Sequence, residues 1–298
     1  MRNAQVTRFY QAEAAELVSS EPASAEAAGQ SGLQPTLDGR TRLKKALQEG
    51  AVGGWDDTGR FIASLDELWV LQSEEREQLY AANASWWDRG GYGGATEEEA
   101  MIGDDESDDD VLASLEFLNG LLGRHPRLGH GAALDVGAGV GRVTKHVLLS
   151  AFDIVELIEG SSYWSERSKA YIGEPGCSNC RFTTARLEVY RPEPTSYDLI
   201  WCQWVLQYLT DADVVELLRG LGLALRPMGV LVVKENRPCT AYVAPTVFLL
   251  DTPDGEHRRY DITRPDAHHR LLFERAGLAV IETQRSDDTS FWVLRPLR

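Results

Sequence analysis

The chain has 298 residues, of which 43% are hydrophobic, and it carries a formal net charge of −16. This length is sufficient for one large α/β domain with an additional segment and a buried core. The acidic balance argues against direct nucleic-acid binding, which draws its affinity from Lys and Arg. It favours a cationic partner, with simple solubility as an alternative that the charge alone does not exclude. No apolar run approaches the roughly 20 residues that span a bilayer. We expect a monomer of the cytoplasm or the nucleus, without membrane association.

The N-terminal part of the chain differs from the rest in composition. Residues 1–54 have few large apolar side chains, which predicts a low-complexity, disordered extension. Residues 55–110 form a second segment, whose apolar pattern predicts a helix over 74–87 that ends at a glycine-rich loop. Two acidic clusters, 97–99 and 104–110, close this segment. Like charges at this density repel one another, so we expect both clusters to lie in a solvated loop.

From residue 111 to residue 298 the hydrophobic periodicity is regular. The predicted helices are 111–122, 143–149, 162–172, 211–225 and 265–276, and the predicted strands are 132–136, 154–158, 197–201, 229–234, 279–283 and 291–294. Strands that alternate with helices predict an α/β fold with a parallel, doubly wound sheet. The last two strands, joined by a short polar turn, predict an antiparallel hairpin at one edge of this sheet.

The cysteines and histidines do not predict a metal site. Cys177 and Cys180 have C-x-x-C spacing, but a zinc site needs two further ligands and the chain has no matching second pair. His268 and His269, on the last predicted helix, are expected at the surface rather than as ligands. We therefore expect ordinary thiols and no bound metal.

A glycine-rich turn follows the first predicted strand of the regular region, at Gly137 and Gly139. Such a turn lets the backbone bend tightly and approach a ligand without Cβ clashes. The spacing is G-x-G-x-G, and Arg142 takes the place of the third glycine of dinucleotide-binding turns. An arginine there suits the carboxylate of a methionine moiety. Glu159 lies about 20 residues further on, at the end of the second strand, where a carboxylate accepts both hydroxyls of a ribose.

The next two strand ends are expected to face the same crevice, because ligands of open α/β sheets bind at the carboxyl ends of the strands. Leu187 and Glu188 end one of them, and Gln203 and Trp204 end the other. Glu188 is suited to hydrogen-bond an adenine amino group, and Leu187 to donate its backbone N–H to a ring nitrogen. A plain core position for Trp204 is an alternative, since aromatic side chains often fill cores.

Several segments together resemble one family. They are LDVGAGVGRVTK (134–145), PEPTSYDLIWCQWV (192–205), LRPMGVLVVKEN (225–236), FERAGL (273–278), the aromatic run ASWW (84–87) and Met101-Ile102-Gly103. They are similar to the N-terminal Xaa-Pro-Lys/Arg protein methyltransferase family. The resemblance implies the seven-stranded, Rossmann-like fold of class I methyltransferases and S-adenosyl-L-methionine (AdoMet) as cofactor. It also implies methyl transfer to the free α-amino group of proteins that begin Xaa-Pro-Lys or Xaa-Pro-Arg, with residues 55–110 covering the substrate site.

The resemblance also implies roles for individual residues. An amine must be neutral to attack a methyl group, yet a protein α-amino group has a pKa of about 7.7–8.0. Asn236 is implied to hold that amine, while Asp251 and Asp254 offset the charge of a basic third residue, one of them serving as general base. Trp87 and Trp204 are implied to wall a narrow slot for the first residues of the substrate. Ile102 and Tyr208 complete the implied substrate site.

The sequence departs from the family pattern in three places. Tyr208 stands where the relatives carry a histidine, and Asp104 replaces the second glycine after Met101-Ile102. The stretch after Asn236 is longer than in the family, which leaves Glu256 and Asp261 as alternative carboxylates. These departures keep two other hypotheses open. One is methylation of a small-molecule amine or another protein side chain; the other is a non-catalytic AdoMet-binding scaffold.

Overall fold

The computed structural model describes residues 52–103, 107–238, 247–255, 258–286 and 288–297. The strands are β1 (Gly53–Asp56), β2 (Phe61–Ile62), β3 (Ala132–Val136), β4 (Ile154–Glu159), β5 (Cys180–Thr184), β6 (Tyr197–Gln203), β7 (Leu225–Asn236), β8 (Val247–Asp251), β9 (Asp261–Thr263), β10 (Leu278–Arg285) and β11 (Thr289–Pro296). The α-helices are α1 (Leu65–Glu74), α2 (Arg76–Asp88), α3 (Glu97–Ile102), α4 (Ser107–Arg124), α5 (Arg142–His146), α6 (Ser162–Ile172), α7 (Asp211–Ala224) and α8 (Asp266–Arg275). None of these helices is both long and apolar enough to cross a bilayer.

The described chain divides into two compact units. The larger unit comprises residues 83–235, 273–284 and 291–297, and the smaller comprises the described residues of 52–82, 236–272 and 285–290. The predicted boundaries near residues 54 and 110 do not coincide with these units. Of the predicted disordered extension, residues 1–51 lie outside the described residues, whereas Gly53 and Gly54 already belong to β1.

The larger unit contains a seven-stranded sheet in the order β10-β11-β7-β6-β3-β4-β5. Strand β3 pairs in parallel with β4 and β6, β4 with β5, and β6 with β7. The two C-terminal strands run antiparallel, so the predicted fold class is confirmed. All seven residues of β6 are buried, as expected for a central strand covered by helices on both faces.

The core beside this sheet contains a cluster of aromatic rings. Phe117 of α4 stacks on Phe291 of β11, with ring centroids 4.2 Å apart, and meets Trp201 of β6 edge-on at 6.1 Å. All three side chains are buried. This packing fixes α4 against the middle of the sheet, so the first turn of the helix is held near the carboxyl ends of the central strands.

A second sheet, in the order β2-β1-β8-β9, belongs to the smaller unit and was not predicted. Its strands are only two to five residues long, too short for a clear alternating pattern. Gly53 of β1 lies opposite Val247 of β8 in a parallel register. A pairing between residues so far apart in sequence leaves no local signal.

The prediction of a solvated loop for the two acidic clusters was wrong. Residues 97–102 form α3, and residues 107–110 form the first turn of α4. The hydroxyl of Thr96 accepts the N–H of Glu99 at 3.1 Å and caps α3. Acidic side chains in the first turn of a helix are stabilised by its dipole, which explains why residues 97–99 and 107–110 are helical. Asp104 lies outside the described residues.

The expectation of surface positions for the two adjacent histidines was also wrong. His268 and His269 are both buried on α8. The ring of His268 lies 6.1 Å from that of Phe248, between centroids. Both side chains are therefore part of the core of the smaller unit.

Candidate cofactor and acceptor site

The glycine-rich turn follows β3 and has the backbone that its composition predicts. Gly137, Gly139 and Gly141 have φ angles of 70°, 56° and 90°, in the left-handed region that favours glycine. A Cβ at Gly137 would lie 2.3 Å from Cγ2 of Val205, and one at Gly139 would lie 2.5 Å from Sδ of Met101. Neither glycine can be replaced by a residue with a side chain unless Val205 or Met101 moves. Met101 belongs to α3, so this helix packs against the turn.

Glu159 is the last residue of β4, and its carboxylate faces the same turn. Its Oε2 accepts the N–H of Gly139 at 2.8 Å, and its Oε1 accepts the N–H of Ser161 at 2.7 Å. Burial raises the pKa of Glu159, and these backbone N–H groups lower it only in part. Each carboxylate oxygen can accept a further hydrogen bond. The position therefore suits the hydroxyls of a ribose.

Asp135 ties β3 to α5 directly behind the turn. Its side chain is buried, and its Oδ2 accepts the N–H of Thr144 at 3.1 Å and the hydroxyl of Thr144 at 2.7 Å. Burial raises the pKa of Asp135 to about 6, despite these two hydrogen bonds. The interaction fixes the start of α5, and with it the position of Arg142.

A buried ionic cluster lies between α4, α5 and the ends of β6 and β7. The Asp110 carboxylate accepts from Nη1 of Arg142 at 2.5 Å, from Nε2 of Gln203 at 2.9 Å and from Nζ of Lys234. The Arg142, Asp110 and Lys234 side chains are only 6%, 9% and 3% exposed. Lys234 also donates to the hydroxyl of Ser114 at 3.0 Å. Burial alone would raise the pKa of Asp110, but the two cations outweigh it and hold that pKa below its ordinary value.

Trp204 lies over this cluster in an unusual backbone conformation. Its φ of 51° is rare for a large side chain and costs of order 1–3 kcal/mol, which is typical of functional sites. Cζ of Arg142 and Nζ of Lys234 lie 5.6 and 5.2 Å from its ring centroid. Its indole Nε1 is buried without a hydrogen-bond partner in the described part of the chain. Trp204 is therefore not a plain core residue.

A second buried carboxylate shapes the bend that follows β6. Oε1 of Glu235 accepts the backbone N–H groups of Val205 and Leu206 at 2.9 and 2.7 Å. The N–H of Trp204 donates to the carbonyl of Lys234 at 2.9 Å. Together these bonds explain how the backbone keeps the strained conformation at Trp204.

An aromatic wall stands beside the bend. Trp87, near the end of α2, meets Tyr208 edge-on with centroids 5.3 Å apart, and also meets Tyr92 edge-on at 6.1 Å. The carbonyl of Trp87 accepts Nε1 of Trp164 at 3.1 Å. Ile102, the last residue of α3, is half-buried next to Met101. The larger unit thus groups four predicted substrate residues, Trp87, Ile102, Trp204 and Tyr208.

Leu187 and Glu188 lie in the turn that follows β5. The turn is tied to the end of β4 by the N–H of Ala185, which donates to the carbonyl of Glu159 at 3.0 Å. Leu187 is buried, and the carboxylate of Glu188 forms an ion pair with the exposed Arg186. An ion-paired Glu188 carboxylate can still accept a hydrogen bond from an amino group.

The three predicted catalytic residues belong to the smaller unit. Asn236 is the half-buried last residue of β7, and Asp251 is the last residue of β8. Asp251 lies 3.7 Å from Nη2 of the buried Arg259, which also pairs with Asp261 at 3.1 Å. Asp254 is exposed in the following turn. The alternative carboxylate Glu256 lies outside the described residues.

Sequence reasoning missed Asp110, Ser114 and Lys234. Asp110 was read as one of many solvated charges, and nothing in its neighbourhood distinguishes it from Asp108 and Asp109. Lys234 carried a usable signal, because a cation at the end of an apolar strand must find an anionic partner when it is buried. The sequence does not indicate which of the 46 acidic residues that partner is.

The chain matches a family model described as AdoMet dependent proline di-methyltransferase over residues 75–291. The chain belongs to this family. It is an AdoMet-dependent methyltransferase. The methyltransferase is 31% identical over 225 residues to N-terminal Xaa-Pro-Lys N-methyltransferase 1 of Rattus norvegicus, an alignment that covers 72% of this chain and 91% of that protein. The Homo sapiens protein of the same name is 32% identical over the same shares.

Solved structures agree with the fold of the methyltransferase. A SAM-dependent methyltransferase from Leishmania major is 26% identical, with a TM-score of 0.70, and the match covers 82% of this chain and 96% of that one. The DhpI–SAH complex matches with a TM-score of 0.57 at 19% identity, over 74% of this chain and 98% of that one, and supports the fold alone.

The residues of the methyltransferase fit AdoMet. The glycine turn leaves room where a Cβ would clash, and the buried guanidinium of Arg142 directly follows that turn. Arg142 would bind the methionine carboxylate of the cofactor and Glu159 its ribose hydroxyls, with Leu187, Glu188 and Gln203 around the remaining groups. Bound AdoMet supplies an electrophilic methyl group on a sulfonium.

Gly139→Ala in the methyltransferase should weaken AdoMet binding. The substitution places a side chain at positive φ and against Sδ of Met101. The left-handed conformation costs roughly 1–2 kcal/mol, and a turn that relaxes to avoid this cost in the free protein has to be restored on binding, at about tenfold in Kd. Isothermal titration calorimetry measures this change. Gly123→Ala on α4, where an added Cβ has no atom within 4 Å, is the control and should leave the Kd unchanged.

Asp135→Asn should reduce the loss of stability with rising pH. The folded pKa of Asp135 is about 6, above the ordinary value of 3.8, so its stabilising effect is full below 3.8 and is lost as pH rises through 6. Relative to the variant, the unfolding free energy of the wild type should fall by about 1 kcal/mol between about pH 5.5 and 7.5. Urea denaturation at several pH values measures it, with Asp153→Asn at an exposed position as control. Parallel curves for wild type and Asp135→Asn would contradict the assignment.

Proposed function

We propose that this methyltransferase transfers methyl groups from AdoMet to the free α-amino group of proteins that begin Xaa-Pro-Lys or Xaa-Pro-Arg. The observation that carries the proposal is the aromatic wall beside the cofactor residues. Trp87 and Tyr208 meet edge-on, and Trp204 presents its ring next to Arg142 and Lys234. A slot lined by ring faces suits the flat pyrrolidine of a proline at the second position. The named relatives act on Xaa-Pro-Lys N-termini, which supports this choice.

The chemistry that the chain must provide is positional. The acceptor nitrogen has to be neutral and aligned with the methyl group, and its proton has to leave during or after transfer. We assign Asn236 to this task, because its side-chain oxygen is able to accept a hydrogen bond from the amine. Burying the amine beside apolar rings favours its neutral form.

Recognition of the basic third residue is assigned to Asp251 and Asp254. The Arg259 guanidinium offsets part of the charge of Asp251, whereas Asp254 is exposed. Asp254 is therefore better suited to meet a flexible Lys or Arg side chain. Asp251, held by Arg259, has less freedom to follow such a side chain. The net charge of −16 would also raise the local concentration of basic N-termini.

Tyr208 favours a second candidate function. The family resemblance implies a histidine at this position, and a tyrosine is a poor base near neutral pH because its reference pKa is near 10. A site without that histidine is compatible with a small-molecule amine that is already neutral at physiological pH. Tyr208 also packs against Trp87, which would narrow the slot for a peptide.

A peptide that begins Ser-Pro-Lys should gain one to three methyl groups when incubated with the protein and AdoMet. The N-acetylated peptide should gain none, because its α-nitrogen has no free electron pair for attack. Mass spectrometry distinguishes the two products. Methylation of both peptides, or of neither while AdoMet binding is retained, would exclude the proposed acceptor and direct the search to other amines.

Asn236→Ala should lower kcat/KM for this peptide at least about tenfold without changing the Kd of AdoMet, since the residue is assigned to the acceptor. Asn119→Ala, at an exposed position on α4, is the matched control. If kcat/KM falls as much in Asn119→Ala as in Asn236→Ala, the loss reflects a general effect on stability and not a role of Asn236 in the reaction.

Tyr208→Phe should retain activity within about twofold, because its phenol is not expected to accept a proton near neutral pH. Tyr208→Ala should raise the KM of the peptide, since it removes the edge contact with Trp87. Peptide kinetics at saturating AdoMet measure both. A loss of activity in Tyr208→Phe as large as that in Tyr208→Ala would instead assign the hydroxyl a role in the reaction.

A further inference from the structure

The ionic cluster places two cations on one buried carboxylate. Asp110 faces both Arg142 and Lys234, and each side chain is less than one-tenth exposed. Buried charges are costly unless partners hold them in place. Arg142 directly follows the glycine turn, and its guanidinium is complementary in charge to the methionine carboxylate of AdoMet.

Asp110 uses only part of the donor capacity of Arg142. It accepts from Nη1, and guanidinium carries five N–H donors in a fixed planar arrangement. Holding one end of that plane by a charge-assisted hydrogen bond fixes the direction of the remaining N–H groups. A bound cofactor carboxylate therefore meets an arginine whose orientation is already set.

The orientation of Asp110 is itself fixed by other side chains. Its Oδ1 accepts from Lys234, and its Oδ2 also accepts from Nε2 of Gln203. The Oε1 of Gln203 accepts Nε1 of Trp201 at 3.1 Å, which sets the direction of the amide. Because Arg142, Lys234, Gln203 and Trp201 are all connected to it in one network of hydrogen bonds, the Asp110 carboxylate has little freedom to turn away from Arg142.

We propose that Asp110 is a positioning residue that orients Arg142 toward the carboxylate of AdoMet, and that it thereby contributes to selection of cofactors that carry this carboxylate. The proposal rests on the assignment of Arg142 to the cofactor, but not on the identity of the methyl acceptor. In this role Asp110 would act through Arg142 and need no contact of its own with the cofactor. Its removal leaves a guanidinium that is still charged but no longer held in one direction.

The test compares the Kd values of AdoMet and of decarboxylated AdoMet, measured by calorimetry. The Kd of decarboxylated AdoMet divided by the Kd of AdoMet reports the interaction with the carboxylate and does not depend on turnover. Asp110→Asn should reduce this ratio about tenfold or more, as should Arg142→Ala. The double variant should have the same ratio as Arg142→Ala alone, because one residue acts through the other. Glu116→Gln, at an exposed position on the same helix, is the control and should keep the wild-type ratio.

Stability has to be separated from positioning. Asp110→Asn removes the carboxylate that two buried cations share and should lower Tm, whatever its role in binding. If it does not fold, Asp110→Asn/Lys234→Met, which also removes one of the two cations, is tested in its place. A folded variant that loses Tm but keeps the wild-type ratio would overturn the proposal. If Arg142→Ala also keeps the wild-type ratio, Arg142 does not bind the cofactor carboxylate, and the assignment on which the proposal rests is wrong. If only Asp110→Asn keeps the wild-type ratio, Arg142 binds the carboxylate but Asp110 does not position it.

Discussion

The structure of the cofactor site depends on how buried charge is compensated at the carboxyl ends of the central strands. Asp110 brings together the first turn of α4, the start of α5 and the ends of β6 and β7, because its carboxylate accepts from Arg142, Gln203 and Lys234. In a buried environment each of these groups is costly without its partners. The cluster therefore holds four elements in one arrangement, and α4 is also fixed by the stacking of Phe117 on Phe291.

Three further carboxylates act on the loops in the same way. Asp135 fixes the start of α5 through Thr144, Glu159 fixes the glycine turn through the N–H of Gly139, and Glu235 fixes the bend after β6. Each accepts backbone N–H groups that no strand partner satisfies. The strained backbone at Trp204 persists because the bend around it is determined by these bonds. Preorganisation of this kind is what a methyl transfer requires, since the reaction depends mainly on alignment.

The smaller unit carries a pair of carboxylates that share one buried arginine. Its sheet carries Asp251 and Asp261 on adjacent strands, opposite each other in the β8–β9 register, with the buried Arg259 between their charges. Two carboxylates directly opposite would repel each other, and the guanidinium removes that repulsion. Arg259 therefore explains how an acidic pair is kept in a strand pair. It also makes Asp251 and the exposed Asp254 unequal, a difference that the L-D-x-x-D pattern does not reveal.

Local patterns in the sequence were sufficient to predict the alternation of strands and helices, the glycine turn and the carboxylate at the end of β4. These features are local: α6 spans the predicted residues 162–172, and the turn needs only glycines that adopt positive φ. Family resemblance added the cofactor. The partners of the buried charges could not be predicted in this way, because Asp110 is 93 residues from Gln203 and 124 from Lys234 and meets them only in the folded chain. The parallel pairing of β1 with β8 and the burial of His268 were likewise set by packing between distant segments, for which periodicity carries no signal.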